Sequence, residues 1–222
     1  MQKAKWISLI LAVSLLHASS LLGNECVKCH SASGVQESKP AVAPIMIKMN
    51  GITRRISLSD AFGFHGHSCP GVTVTFRALQ YGILLLYGKE IPEREDLVVF
   101  SKTPTSGSLD MLDLLMIGEK RTKRTPVPEG MKSGRDTFHY TLYRKSTHTA
   151  VDIHLKPDHF PGDFFELKKK QKSKTLTSEE WDRLHGYMRD MILTFPTMSF
   201  EALFDRPKPY KTIVWGELSP AD

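Results

Sequence analysis

With only three cysteines in 222 residues, the chain cannot be a disulfide scaffold, and because the number is odd they cannot all pair internally. Runs of about 20 apolar residues, the length of a membrane-spanning helix, are missing as well. There is no phosphate-binding loop, dinucleotide fingerprint or nucleophile triad, and Ser-Gly-Ser at 106–108 lacks the strand-turn-helix setting of a serine nucleophile, which excludes a serine hydrolase. Charge of one sign is scarce. The formal net charge is +6, or +4 without Lys3 and Lys5. The densest positive stretch, LKKKQKSK at 167–174, has no interleaved aromatics. It reads as a solvated linker, and a nucleic-acid partner is excluded.

What is present begins with an export signal. Lys3 and Lys5 supply a positive flank, and WISLILAVSLL at 6–16 is an apolar core of signal length. Ala18 and Ser20 suit cleavage after residue 20. An uncleaved anchor is the alternative. Either way the rest is expected outside the cytoplasm, in the periplasm or an equivalent compartment, with no membrane span once the signal is removed. The roughly 200 residues that remain suit one domain behind an N-terminal extension.

That extension carries NECVKCHSAS at 24–33. Cys26 and Cys29 in CxxCH spacing can form two thioether bonds to a haem, and His30 is placed to ligate its iron. A Cys26–Cys29 disulfide and a half zinc site are the competing readings, but only a covalent haem c uses all three residues together with the compartment. The sixth ligand stays open among Met46, Met49 and the other histidines. Residues 31–58, with their Ser, Ala and Pro, read as linker, so the haem-bearing tail and linker are assigned to 21–55.

A second group lies in FGFHGHSCPG at 62–71. In an extended segment the alternating His65, His67 and Cys69 share a face that can gather a soft metal ion. Pro70 suits the first position of a helix and Cys69 its N-cap, where the dipole and free amides favour a thiolate. The helix follows in GVTVTFRALQYGILLLYG, with Phe76, Leu79, Ile83 and Leu86 on one face and Gly88 at its end. The competing reading packs the two histidines and Cys69 under the helix, merely hydrogen-bonded.

FHGHSCPG followed by an apolar helix with Arg77 resembles the FmdE-like family of formylmethanofuran dehydrogenase proteins, whose hallmark is His-Gly-His-x-Cys-Pro-Gly. DLVVFSKTPTSGSLDMLDLLMIG is similar to that family's strand, loop and helix. RDTFHYTLYRKSTHTAVDIHLKP is similar to its closing strands, and SFEALFDRP to its C-terminal segment, so that the resemblance spans residues 56–210. It implies a metal site and a homodimer. The chain departs from the pattern where Ser106 stands in place of a further cysteine, a hydroxyl being a poor ligand for a soft ion.

The remaining elements supply scaffold. LVVF at 97–100 reads as a buried strand, and Ser108 as the cap of a helix through Ile117. TFHYTLY and AVDIHL read as strands joined by a turn, with Phe138, Tyr140, Leu142, Val151, Ile153 and Leu155 facing inward. Thr177 and Glu180 make a capping box for a helix with Trp181, Leu184, Met188 and Met191 inside. His139 and His154 fall on the opposite, exposed face, and His159 is the expected extra ligand.

These readings lead to an α+β protein, a single domain at 56–210 with a partly antiparallel sheet and a tail at 211–222. It is expected to transfer electrons to a redox partner protein, or to serve an accessory redox role, through one haem c, with His65, His67 and Cys69 either holding zinc or another transition metal or contacting the haem. A metal-binding or metal-delivery protein is the first alternative. A thiol enzyme with Cys69 as nucleophile and His65 or His67 as base is the second.

Overall fold

Asn50 and Gly51, with φ of 53° and 75°, form a two-residue turn of the kind Asn-Gly favours. It reverses the chain between β1 (Ile45–Met49) and β2 (Ile52–Ile56), which pair antiparallel. The computed structural model describes residues 42–118 and 127–216. The expected export signal and the expected haem site at Cys26, Cys29 and His30 lie outside them. The linker reading of 31–58 is corrected over this hairpin, because Ile45, Ile47 and Ile56 are buried in the core.

Ser57 caps α1 (Leu58–His65) through a capping box with Asp60, and α2 (Pro70–Tyr87) follows almost at once. In α2 every side chain from Val72 to Leu79 is buried, so its first half is enclosed on all sides instead of presenting one apolar stripe. Ile83 and Leu86 of the expected stripe are only partly buried.

The main sheet is a fully antiparallel meander in the order β3 (Leu97–Ser101), β4 (His139–Arg144), β5 (Thr149–His154) and β6 (Tyr210–Lys211). Tyr140, Leu142, Val151 and Ile153 are fully buried on one face, which packs on α2. The expected β4–β5 hairpin is present, its turn closed by His148 at a left-handed φ of 51°. β3 is an edge strand, and among its apolar residues only Leu97 is fully buried while Phe100 is exposed, so its expected burial is corrected.

Two helix readings are also corrected. α3 (Ser106–Met116) starts before Ser108, because the Thr105 hydroxyl accepts from the Ser108 amide and caps it. The lysine-rich stretch is helical, in α4 (Phe164–Ser173), which buries Phe164 and Leu167 and leaves most of its lysines in solvent. α5 (Ser178–Thr194) has the expected Thr177–Glu180 box and buries Leu184 and Met191, with Met188 packed against the core. The short α6 (Phe200–Leu203) brings Leu203 and Phe204 inside. No helix among the described residues is long and apolar enough to cross a membrane.

Candidate metal centre

His65 is the last residue of α1, and Gly66 takes a left-handed φ of 97° that turns the chain sharply. His67 and Ser68 bridge to Cys69, the N-cap of α2, ahead of Pro70. The segment is therefore a helix end, a turn and a helix start, not the extended strand expected from the alternation. The turn still gathers the three side chains, and one ligand atom from each of His65, His67 and Cys69 lies within 4.8 Å of the others. The two imidazole rings are 4.3 Å apart, His67 is exposed, and His65 and Cys69 are partly covered.

Asp110 of α3, which sequence reasoning missed, stands behind His65. The His65 Nδ1–H donates to Asp110 Oδ2 at 2.6 Å, with the two side chains only 5 % and 2 % exposed. This fixes the ring and leaves Nε2 as the ligating nitrogen, the arrangement in which a carboxylate orients a metal-binding histidine. Asp110 is 45 residues from His65 in sequence. Its only signal is a carboxylate on the face of α3 that also carries Met111 and Leu115, both buried.

Burial pushes the Cys69 thiol up, but hydrogen bonds from His65, His67 and the Val72 amide, with the charge of His65, outweigh it and bring the thiol to about 6. His65 is pushed up. Its hydrogen bond with Cys69 is the largest cause, burial opposes it, and Asp110 adds to the rise. Thiolate and imidazole thus hold each other in place, as expected at a helix start.

The N-terminus of α3 closes one side of the site. A Cβ on Gly107 would lie 3.1 Å from Cys69 Sγ and 2.9 Å from the Val72 nitrogen, so only glycine lets the two helices begin this close together. The segment where the resemblance calls for a further ligand therefore does reach Cys69, but through Gly107. Ser106 is exposed at the first position of α3. Beneath, the Thr75 hydroxyl lies 2.8 Å from both Ser108 Oγ and Tyr140 Oη, tying α2, α3 and β4 together through buried polar groups.

The other candidates lie apart from this group. His159 follows β5 and is committed elsewhere, its Nε2–H donating to the Ala202 carbonyl at 2.8 Å, so its expected role as extra ligand is not supported. Arg77 is buried, donates to the Met198 carbonyl at 2.7 Å and stacks on Phe200, which anchors the C-terminal segment to α2. His139 is half-buried against His154 instead of standing free in solvent.

A search of curated proteins returned no match. Residues 64–205, more than half of the chain, match the model of a family described as FmdE, molybdenum formylmethanofuran dehydrogenase operon. The match begins one residue before His65 and takes in Cys69, Asp110 and the whole β3–β5 meander, and on that span the chain belongs to the FmdE family.

Proposed function

We propose that the chain is an exported FmdE-family metalloprotein that holds a divalent transition-metal ion at His65, His67 and Cys69. It carries one c-type haem on Cys26, Cys29 and His30 and exchanges electrons with a redox partner protein in the periplasm, as a homodimer. The observation that carries the metal reading is the convergence of two imidazoles and a thiol within 4.8 Å, backed by a buried carboxylate on His65. The donor set fits such an ion: a thiolate already favoured near neutral pH and two imidazoles suit zinc or another borderline-soft metal. For the haem, support comes from the CxxCH spacing behind an export signal.

Three protein ligands leave a position for water or a small substrate, and a bound ion would supply Lewis-acid polarisation there. The chain's own residues do the rest. Asp110 holds the His65 proton at Nδ1, the Val72 amide and the start of α2 hold the negative charge on Cys69, and exposed His67 faces arriving ligands.

The test is protein made with the haem-attachment machinery, measured for its visible spectrum and metal content. A Soret band that survives acid-acetone extraction, with about one metal per chain that is lost in Cys69→Ser, supports both parts. A colourless protein with metal leaves the metal-delivery reading. Failure to hold zinc, cobalt or iron after reconstitution overturns the metal centre. The lowered thiol favours a second reading in that case, Cys69 as a nucleophile beside His65 or His67.

A further inference from the structure

We infer that His139, Asp152 and His154 form a second binding site for a divalent transition-metal ion, on the face of the β4–β5 ladder opposite the core. His139 and His154 are direct cross-strand partners, and their rings lie 3.7 Å apart. Asp152 precedes His154 by two residues and so shares its face. His139 Nε2 is 3.4 Å from Asp152 Oδ1, longer than an ordinary hydrogen bond of about 2.7–3.2 Å. It matches the separation of about 3.3 Å between two ligands that each sit about 2.0–2.1 Å from a tetrahedral ion.

The carboxylate is held for that purpose. Thr141 donates to Asp152 Oδ1 at 2.5 Å, and Tyr210 of β6 bonds to the same carboxyl. Burial pushes Asp152 up, but these bonds and His139 outweigh it. His139 is pushed down, first by burial, then by the charges of His154 and Lys102, against the pull of Asp152. The His154 side chain is exposed and makes no hydrogen bond among the described residues; as placed, the trio does not converge as His65, His67 and Cys69 do, so the site closes on an ion by rotation of this third donor. Two imidazoles and a carboxylate suit zinc, cobalt, nickel or copper better than calcium or magnesium.

The competing explanation is a stacked surface pair with no ligand, whose two charged forms merely repel. Zinc chloride titrated into the full chain at pH 7.5 separates the two, with wild type, His154→Ala and Asp152→Asn followed by calorimetry and by imidazole NMR. The expected result is a zinc step that is lost in His154→Ala and weakened at least tenfold in Asp152→Asn, while the step abolished by Cys69→Ser persists in both. In wild type the His139 and His154 resonances should shift together at that step. Equal zinc stoichiometry and affinity in all three proteins, or unmoved His139 and His154 resonances at saturating zinc, overturns the site. The wild-type NMR decides the matter even if a variant fails to fold.

Discussion

Cys69 is an acidic thiol because two imidazoles and a backbone amide reach it, not because it is exposed. In metal-free protein its alkylation rate should therefore rise with a midpoint at about 6, against about 8.5 for an unperturbed thiol. Asp110→Asn removes one of the groups that raise His65, leaving less positive charge beside the sulfur, so the midpoint should move upward in that variant. The same substitution is expected to weaken zinc binding about 10–100-fold, measured by competition with a chromophoric chelator. Protons compete for the same groups, so wild-type affinity should fall as pH drops through about 6. His65, His67 and Cys69 were legible because five consecutive residues contain them all. Asp110 was not, since its role depends on how α3 packs against α1, and no local spacing encodes that contact.

Among the elements, α2 and β4 approach closely at one point. A Cβ on Gly82 would meet Leu142 at 2.6 Å, and Leu142 is fully buried with nowhere to retreat. Alanine in an open helical position gains about 0.5–1 kcal/mol over glycine, whereas overpacking costs about 1–3 kcal/mol. Gly82→Ala should accordingly lower the urea midpoint, while Gly186→Ala in α5, with nothing within 4 Å of its Cβ, should raise it. Truncating fully buried Ile47 in β1 to alanine is expected to cost about 2–5 kcal/mol, which checks that the first hairpin belongs to the core. That hairpin had a readable signal, Asn50-Gly51 between two isoleucine-bearing runs, obscured by the Pro- and Ser-containing sequence just before it. α4 was missed because successive lysines blur the period and only Phe164 and Leu167 mark the buried side. The β4–β5 pair was legible because Phe138, Tyr140 and Leu142, and then Val151, Ile153 and Leu155, recur at every second residue, all of them buried.

For the whole molecule, among the described residues, core packing begins with Val42 and Ile45, and the CxxCH motif lies outside those residues. Cys26→Ser with Cys29→Ser should abolish the proposed covalent haem but leave the far-UV spectrum and the thermal midpoint nearly unchanged; a collapse of both would show that the tail is integral to the fold. The enclosure of α2 has a kinetic consequence. Buried helical amides exchange with solvent only when the surrounding structure opens, so those of residues 74–79 should be the slowest in the protein and report global unfolding, while those around exposed Leu84 exchange through local fraying. Cys69 caps this slow helix, whereas exposed His67 sits in the turn before it. The candidate metal centre is thereby anchored at one end to the enclosed half of α2 and open at the other, and an ion should enter and leave by swinging His67 aside, on a timescale far shorter than any opening of the fold.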